Sequence, residues 1–444
     1  MTSKILKGVL LLSKITFLGA GSTVFAKNVL GDCMTVPALQ DFEIALFDIN
    51  HKRLRESEQM LNNIKKNLGS TVKIVSYTNR KDALRGAKYV FNAIQVGGYD
   101  PSTIIDFEIP KKYGIRQTIA DTIGIGGIFR SLRTIPVMMD FAKDMEEVCP
   151  DALFLNYTNP MATLTGSMLR YSGIKTVGLC HSVQVCAFEL LRGLDMPTDN
   201  VQWKIAGINH LAWLLEINRD GQDLYPEIKK RALEKQKTKH HDMVRYELMS
   251  RFGYYITESS EHNAEYHPYF IKSQYPELIE RFNIPLDEYP RRCVNQIDGW
   301  NKMRDDLVND HNLSHGRSNE YGSRILEAME TNIPFKIGGN VLNTGGLISN
   351  LPRNAVVEVP CLVDASGVTP TYVGDLPEQL AALNRTNINT QLLTIEAAMT
   401  GKKEHIYHAA MLDPHTSAEL SIDDIVAMCD ELIEAHEDWL PKYK

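Results

Sequence analysis

The first half of this 444-residue chain alternates short apolar runs with amphipathic segments, and that alternation limits the folds it can adopt. Runs rich in β-branched and aromatic residues are predicted as strands at 14–18, 43–47, 73–77, 89–94, 153–157 and 176–179. Segments 51–68 and 136–148, between these runs, have the apolar spacing of amphipathic helices. Strands that alternate with helices form a parallel sheet covered on both faces. The sequence therefore predicts the α/β class, with a Rossmann-like, doubly wound parallel sheet over residues 14–195.

The second half of the chain has a different pattern. Segments 201–208 and 212–217 are predicted as strands, and Asp220-Gly221 is typical of a hairpin turn. Further along, helical segments are mixed with a predicted strand at 354–360. We expect residues 196–444 to form a carboxy-terminal α+β domain, with a cleft between the two domains.

Charge and cysteine content limit the possible partners and the compartment. Lys and Arg number 48 against 55 for Asp and Glu, a formal net charge of -7, which argues against nucleic acid or an anionic membrane as a partner. The seven cysteines lack CxxC spacing, as is typical of reduced thiols in a cytoplasmic protein. The amino-terminal run MTSKILKGVLLL is too short to span a membrane, and Lys14 follows closely, so we do not interpret it as a secretory signal.

A glycine turn directly follows the first predicted strand. Gly19-Ala20-Gly21-Ser22-Thr23 joins that strand to a helical segment, and the next strand is followed by Asp48. In dinucleotide-binding folds such glycines let the backbone approach the pyrophosphate, and the acidic residue binds the adenosine ribose. Because Asp48 would repel a 2′-phosphate, the pattern favours NAD over NADP. Val24 replaces the third glycine of the usual fingerprint, so an ordinary strand-to-helix turn is the alternative interpretation.

Polar residues follow the other predicted strands, at the edge where open α/β sheets bind ligands. Asn92 lies near the end of the fourth strand and is a candidate cofactor contact, and segment 122–130, with three glycines, is predicted as a loop near the nicotinamide. Cys180 follows the sixth strand and His210 the first strand of the second half. Thiolate and imidazole bind divalent transition metals. A buried thiol and a hydrogen-bonded core histidine are the alternative interpretation of this pair.

Six motifs carry a resemblance to a known family: ITFLGAGSTVF, NAIQVGGY, ADTIGIGGIFRSLRTIP, FLNYTNPMATLT, GLCHSVQ and AGINHLAWLLE. In this order they resemble the NAD-dependent glycoside hydrolases of family 4, and within it most closely the bacterial α-galactosidases. The resemblance implies a lactate- and malate-dehydrogenase-like arrangement of two domains, in which residues 14–195 bind NAD and residues 196–444 bind substrate and metal and mediate oligomerisation. It also implies NAD and Mn²⁺ as cofactors, an α-galactoside as substrate, and a homo-oligomer, either a dimer or a tetramer.

The resemblance further implies a mechanism that differs from that of most glycosidases, which use two carboxylic acids. NAD would take a hydride from C3 of the sugar, and a base would then remove the acidified proton at C2. The aglycone would leave by elimination, water would add, and the hydride would be returned. A divalent metal at the C2 and C3 oxygens would stabilise the charge that develops.

The same resemblance implies roles for single residues. The family's metal ligands fall on Cys180 and His210, and its substrate-binding asparagine falls on Asn159 of the TNP motif. His181 occupies the position of the general acid, where related members carry an acidic residue, so the identity of the acid stays open. Tyr266 of EHNAEYHPYF is the nearest match to the C2 base, with a second tyrosine three positions later as a rival.

Other interpretations stay open at the level of sequence. Arg291 either anchors an anionic group of the substrate or is a solvated surface arginine. An α-glucosidase or α-galacturonidase of the same family, a 2-hydroxy-acid dehydrogenase and a nucleotide-sensing binding protein all share the predicted amino-terminal fold. The sequence CHSV, which includes the predicted metal cysteine, resembles the α-galactosidase members and favours a neutral galactoside.

Overall fold

Six parallel strands form one half of a single mixed sheet in the computed structural model, which describes residues 13–444. They are β1 (Lys14–Leu18), β2 (Glu43–Phe47), β3 (Lys73–Tyr77), β4 (Ala87–Asn92), β5 (Leu153–Asn156) and β6 (Lys175–Gly178). Their order across the sheet is β3-β2-β1-β4-β5-β6, which is that of a doubly wound Rossmann sheet. The amino-terminal run discussed above lies outside the described residues.

The second half of the chain extends this sheet with antiparallel strands. They are β7 (Val201–Ile208), β8 (Leu211–Arg219), β9 (Gln222–Asp223), β10 (Tyr255–Ile256), β11 (Phe335–Leu342), β12 (Val356–Asp364) and β13 (Gly367–Pro370). From β6 the order continues β11-β12-β7-β8-β10, with β13 beside β12 and β9 beside β8. The two predicted domains therefore share one continuous sheet, and their boundary at residue 195 stays a prediction.

Helices connect the strands and make up most of the carboxy-terminal part. In the described residues they are α1 (Val24–Thr35), α2 (His51–Leu68), α3 (Arg80–Leu84), α4 (Ile104–Lys112), α5 (Gly124–Val148), α6 (Met161–Tyr171), α7 (His181–Gly193), α8 (Tyr225–Lys235), α9 (Met243–Phe252), α10 (Ser260–Glu265), α11 (Glu277–Arg281), α12 (Glu288–Asn309), α13 (Gly322–Thr331), α14 (Glu378–Thr400), α15 (Lys403–Met411), α16 (Pro414–Glu419) and α17 (Ile422–Ala435). The local sequence determines both ends of α2. The Asn50 side chain caps its start, and Gly69, at φ 64°, ends it.

The carboxyl ends of the parallel strands are aligned in a row of paired residues, which we call the polar row. Asn92 of β4 pairs with Asn156 of β5, which pairs with Gly178 of β6. The polar row continues through Asn340 of β11 to Glu358 of β12. Side chains bond along it, because the Asn92 amide donates to Asn156 Oδ1 and the Asn340 amide donates to Glu358 Oε1, both at 2.9 Å. The polar row thus runs along the edge where such sheets bind ligands.

The predicted fold class is confirmed: the protein is α/β, with a Rossmann-like parallel sheet followed by an α+β part. The bounds of β1, β2, β3 and β7 match the predicted segments. The bounds of β4 differ, since it runs from Ala87 to Asn92 and so begins and ends two residues before the predicted segment. Among residues 13–444, no helix combines the length and the apolar character needed to cross a membrane.

The prediction of a loop at 122–130 is wrong for most of that segment, because α5 begins at Gly124. Its glycines allow close packing against the backbone that precedes the helix. A β-carbon on Gly126 would lie 2.7 Å from the carbonyl oxygen of Ala120, and one on Gly127 would lie 2.7 Å from the carbonyl carbon of Thr122. The glycines predict close backbone approach in a loop near the nicotinamide, whereas in the structure the close approach is that of the turn before α5.

We expect Gly127→Ala to destabilise the fold, because its β-carbon would overlap the Thr122 backbone. Overpacking of this kind costs roughly 1–3 kcal/mol. Gly299→Ala is the matched control, since Gly299 lies inside α12 and no described atom is within 4 Å of a β-carbon built there. Alanine is favoured over glycine in a helix by up to about 1 kcal/mol, so this control should be neutral or stabilised. Thermal unfolding measures both, and an undiminished Tm for Gly127→Ala would contradict the packing argument.

Candidate active site

A hydrogen bond connects the glycine turn after β1 to the end of β2. Gly19 has φ 88°, and a β-carbon there would lie 2.4 Å from the carbonyl oxygen of Ala93, so only glycine fits. The backbone N–H of Gly21 donates to Asp48 Oδ2 at 2.7 Å, and that of Asn50 donates to Asp48 Oδ1 at 2.7 Å. The structure therefore brings the predicted turn and its predicted acidic partner into direct contact.

The start of α1 has features that fit a pyrophosphate. The Ser22 hydroxyl is buried and has no hydrogen-bond partner among the described residues. Thr23, which precedes the helix, has the unusual backbone angles φ 43° and ψ -77°. A helix amino terminus carries partial positive charge and free N–H groups, so the turn and these side chains suit a bound dinucleotide.

Asn92 is placed differently from the other predicted cofactor contacts. Its side chain is fully buried, and its amide donates to Asn156 Oδ1 and Thr158 Oγ1. Thr158 Oγ1 in turn accepts from the backbone N–H of Ile94 at 3.0 Å. In the structure Asn92 therefore connects the ends of β4 and β5, and its role as a cofactor contact stays a prediction.

The two predicted metal ligands lie together with a third donor. Cys180 follows β6 and precedes α7, His210 lies in the turn between β7 and β8, and Glu258 follows β10. One donor atom from each, a thiol sulphur, a ring nitrogen and a carboxylate oxygen, lies within 4.8 Å of the other two. We call these three residues the metal cluster. Thiolate, imidazole and carboxylate are all ligands of divalent transition metals, so the donor set fits such an ion.

The electrostatics of the metal cluster favour a bound cation. Burial alone would lower the pKa of His210, but the charges of Glu258 and Cys180 raise it to about 10. Burial would raise the pKa of Glu258, whereas His210 and His262 lower it below its usual range. Both shifts mean that the cluster holds positive charge tightly. A divalent ion would supply that charge in place of the proton on His210.

Tyr266 lies directly behind the metal cluster. Its side chain is fully buried, and its hydroxyl is 3.1 Å from His210 Nδ1, while His210 Nε2 lies 3.3 Å from Glu258 Oε2. Burial and the charges of Asp121, Glu265 and Glu258 raise the pKa of Tyr266 well above its usual value. In this arrangement the phenol fixes the orientation of the imidazole, a common way to hold a metal-binding histidine.

A second group of polar residues borders the cluster. His262 Nε2 is 3.6 Å from Asp121 Oδ1, and Asn159 Nδ2 is 3.5 Å from Asp121 Oδ2. The buried guanidinium of Arg130 donates to the Asn159 carbonyl at 3.3 Å and to the Tyr289 hydroxyl at 3.1 Å. Burial would raise the pKa of Asp121, but the hydrogen bond and charge of His262 and the charge of Arg130 hold that pKa well below its usual range. This group offers charged and neutral partners for hydroxyl groups.

Glu265 supports the segment that carries Asp121. Its buried carboxylate accepts from the backbone N–H groups of Thr118 and Ala120, each at 2.8 Å. Ala120 has φ 54°, a left-handed conformation that alanine rarely adopts. The carboxylate therefore holds a strained turn immediately before Asp121.

His181 forms an ion pair on the outer side of the site. Its Nε2 is 2.6 Å from Glu320 Oε2, and its side chain is 46% exposed. The hydroxyl of Ser318 accepts from the backbone N–H of Glu320 at 3.1 Å and donates to Asp32 Oδ2 at 2.7 Å. Because Asp32 lies on α1, the partner of His181 is tied to the helix that follows the glycine turn.

Arg291 does not lie in this group of contacts. Its guanidinium donates to the carbonyl of Leu286 and to Glu288 Oε2, each at 2.7 Å, and its side chain is 53% exposed. The buried guanidinium at the site belongs to Arg130, which sequence reasoning did not select. Substrate binding by Arg291 stays a prediction.

Several site residues were missed although they lie in or beside motifs that were recognised. His262 lies in EHNAEYHPYF and Glu258 lies three residues before that motif, while Asp121 and Arg130 lie in ADTIGIGGIFRSLRTIP. For Asp121 and Arg130 the available signal was charge in a segment of mostly apolar and small residues, where a buried charged group requires a partner. Glu258 and His262 lie in a polar stretch that gives no such signal. Glu320 has no comparable signal, because it lies in a polar stretch.

A Rossmann-like sheet with a glycine turn and a thiolate, imidazole and carboxylate cluster at one edge has the layout of a dinucleotide- and metal-dependent enzyme. The family model for family 4 glycosyl hydrolases matches residues 14–196, and the model for the family 4 glycosyl hydrolase C-terminal domain matches residues 205–416. The chain therefore belongs to glycosyl hydrolase family 4 and is a glycosidase.

Individual relatives are similar over almost the whole chain. The α-galactosidase of Bacillus subtilis (strain 168) is 71% identical over 433 residues, which cover 98% of this chain and 100% of that protein. The α-galactosidase of Rhizobium meliloti (strain 1021) is 34% identical over 446 residues, covering 97% and 89% respectively. A crystal structure of a 6-phospho-α-glucosidase from gut microorganisms in complex with NAD and Mn²⁺ has a TM-score of 0.80 at 21% identity, covering 97% of this chain and 100% of that one.

Glu358 of the polar row should make stability depend on pH. Burial raises its pKa to about 7 from the ordinary 4.5, so the folded state keeps a proton that the unfolded state has released. This stabilisation is fully present below the pKa that Glu358 has in the unfolded state. It is lost as the pH rises through the pKa that Glu358 has in the folded state. It amounts to at most about 3 kcal/mol.

Glu358→Gln has no proton to lose at this position. The unfolding free energy of wild type minus that of the variant should therefore fall as the pH rises between about 5 and 8. Chemical unfolding of both proteins over this range measures the difference. A difference that is independent of pH would contradict the raised pKa.

Proposed function

We propose that this protein is an α-galactosidase that hydrolyses terminal α-D-galactosides such as melibiose, with NAD and Mn²⁺ as cofactors. The observation that carries the galactoside specificity is the 71% identity, over nearly the full chain, to the Bacillus subtilis α-galactosidase. The NAD and Mn²⁺ bound by the similar 6-phospho-α-glucosidase support the proposed cofactors.

The geometry supports this proposal because both cofactor sites would lie at one edge of the sheet. Bound NAD would accept and return a hydride at the sugar, and the divalent ion would act as a Lewis acid on the sugar oxygens. The residues proposed to hold the cofactors are Gly19, Gly21, Ser22, Thr23 and Asp48 for NAD, and Cys180 and His210 for the metal ion. The glycine turn follows β1 and the metal cysteine follows β6, two strands that belong to one rigid parallel sheet.

Asn159 is proposed to bind a sugar hydroxyl together with Asp121. Their side chains face each other at 3.5 Å, so a hydroxyl could accept from the amide and donate to the carboxylate. Arg130 fixes the backbone of Asn159, because its Nε donates to the Asn159 carbonyl. This pairing recognises a neutral hydroxyl, in agreement with a neutral galactoside.

His181 is proposed as the general acid that protonates the leaving oxygen. Burial lowers its pKa, but the hydrogen bond and the charge of Glu320 outweigh burial and raise the pKa above its usual value. The raised pKa favours the protonated imidazole, which is the form that a general acid needs. Because the Glu320 carboxylate accepts a hydrogen bond from His181 Nε2, Nδ1 is the ring nitrogen of His181 that is left to face a substrate.

Tyr266 is proposed as the base that removes the C2 proton. Its raised pKa means that the phenol becomes a base at neutral pH only when a cation is close. The hydroxyl contacts Nδ1 of His210, so a cation held at the opposite nitrogen of that ring would favour the phenolate through the imidazole. The proposal assigns no catalytic role to Arg291.

We also propose a reducing, cytoplasmic location. All seven cysteines lie in the described residues as free, buried thiols, and Cys180 can bind a metal only as a thiolate. The dimeric or tetrameric state suggested by the family resemblance stays a prediction.

With NAD, Mn²⁺ and a thiol reductant, the purified protein should release nitrophenol from nitrophenyl α-galactoside in preference to the α-glucoside and the α-galacturonide. Deuterium at C2 of the galactoside should slow release and should exchange with solvent, because the proposed base removes that proton. Nitrophenol absorbance and mass spectrometry of the released galactose measure the two effects.

Three results would contradict separate parts of this proposal. A preference for the glucoside or the galacturonide would overturn the substrate. Full activity after removal of NAD and metal would overturn the cofactors. Accumulation of NADH with a hydroxy acid, without glycoside cleavage, would assign the protein to the dehydrogenases.

Glu320→Ala should slow hydrolysis of melibiose far more than hydrolysis of dinitrophenyl α-galactoside. A sugar leaving group needs a proton from His181, whereas dinitrophenolate leaves without one. General acids contribute about 10²–10⁴-fold to rates, so we expect the ratio of kcat/KM for the two substrates to change at least about tenfold.

Two variants serve as controls for Glu320→Ala. Glu320→Gln keeps an acceptor for His181 Nε2 and should restore part of the activity on melibiose. Glu327→Ala, seven residues beyond Glu320, removes a partly exposed ion pair with Arg317 and should leave the ratio unchanged. An equal loss on both substrates would show that Glu320 does not act through proton transfer.

A further inference from the structure

Glu258 lies in the metal cluster although neither its sequence position nor the family resemblance assigned it there. One of its carboxylate oxygens lies within 4.8 Å of the donor atoms of Cys180 and His210. Its Oε2 is 3.3 Å from His210 Nε2, the ring nitrogen opposite the one that contacts Tyr266. The carboxylate therefore shares the side of the imidazole that is free to bind an ion.

Among the described residues, no permanently charged side chain forms an ion pair with the Glu258 carboxylate. Its Oε1 is 3.5 Å from His262 Nδ1. Within the described residues, no Lys or Arg side chain lies within 4.0 Å of its carboxylate, so its ion-pair partners are His210 and His262. A carboxylate with 22% side-chain exposure and only imidazoles as partners suits a metal ion better than a structural ion pair.

The backbone at Glu258 has an unfavourable conformation, as does that of His210 in the same metal cluster. Its φ is 64°, and that of His210 is 63°, so both residues adopt the left-handed conformation. A glutamate rarely adopts this conformation, because only Gly and, less often, Asn, Asp and His do so. Such strain persists where the surrounding structure requires it, and functional sites are where it concentrates. Here it aims two donors at one point.

We propose that Glu258 is the third protein ligand of the divalent metal ion, beside Cys180 and His210. This inference rests on the proposed function, which requires that ion. A thiolate and a carboxylate together match the two positive charges of the ion, and the imidazole adds a neutral donor. An ion that prefers six ligands would keep about three positions for sugar hydroxyls and water. The site should therefore bind its metal before any sugar arrives.

The experiment measures metal affinity in the absence of sugar, so it does not depend on glycosidase activity. Wild type and Glu258→Gln, stripped of metal by a chelator and supplied with NAD and reductant, are titrated with Mn²⁺ while electron paramagnetic resonance reports the free ion. We expect the Kd of Glu258→Gln to rise at least about tenfold, since even outer-shell partners of a metal ligand are worth 10–100-fold. Glu261→Gln is the control, because Glu261 lies three residues further along and pairs with Arg292.

A second variant covers the case in which glutamine disturbs the fold. Glu258→Gly removes the carboxylate and fits φ 64° without steric strain. It should unfold cooperatively and lose Mn²⁺ affinity as Glu258→Gln does. With Co²⁺ in place of Mn²⁺, both variants should keep the sulphur-to-metal absorption band of Cys180 but change the visible bands that report coordination number.

The outcomes separate this inference from the proposed function. An unchanged Kd in Glu258→Gln, with wild type binding Mn²⁺, overturns the ligand role alone. Loss of cooperative unfolding in both variants assigns Glu258 a structural role and also overturns it. If wild type binds no Mn²⁺, the inference falls together with the proposed metal dependence.

Discussion

The pairing of β6 with β11 is the constraint on which the candidate site depends. At that pair, Gly178 opposite Asn340, the parallel sheet of the first half continues directly into the antiparallel sheet of the second. Strands in a sheet lie about 4.8 Å apart and cannot slide without breaking their hydrogen bonds. The glycine turn at the end of β1 and the metal cluster beyond β6 and β7 are therefore held at a fixed separation. A reaction that needs a cofactor and a metal ion on one sugar ring requires that rigidity.

Space for this junction comes from the smallest side chain. A β-carbon on Gly178 would lie 2.6 Å from Met161 Sδ and 2.6 Å from Thr165 Oγ1, so no larger residue fits between α6 and β11. Asn340 fills the other side, donating to Gly178 O and to Glu358. Buried polar groups are costly unless paired, and these pairs lie where the sheet must stay closed next to a polar site.

Backbone strain is concentrated at the same edge. In the part of the chain that the structure describes, the residues other than Gly, Asn and Asp with positive φ are Thr23, Ala120, His210 and Glu258. Thr23 belongs to the glycine turn, Ala120 precedes Asp121, and the other two belong to the metal cluster. Each conformation is unfavourable by itself, so the packed fold must supply the energy that maintains it. The fold is locally strained where the cofactor, the sugar and the metal ion are proposed to bind.

The sequence by itself determined the elements and the residues at their ends. The β-branched and aromatic runs of β1 to β3, the apolar spacing of α2 and the position of Gly19 are encoded within a few neighbouring residues, which is why they could be predicted. Cys180 and His210 could be located because each follows a strand, and the recognised motifs implied their chemistry. The helical start of α5 was missed because glycines usually indicate a loop, whereas here they pack closely against the turn just before the helix.

Only the tertiary structure decided which charged side chains meet. Glu258 joins Cys180, Asp121 faces His262, and Glu320 pairs with His181 across long stretches of chain. A carboxylate on a polar segment looks the same in sequence whether it faces water or an imidazole. Its role depends on long-range packing and on which side chains are buried beside it. Periodicity and turn chemistry are local properties of the chain, whereas electrostatic partnership is a property of the folded molecule.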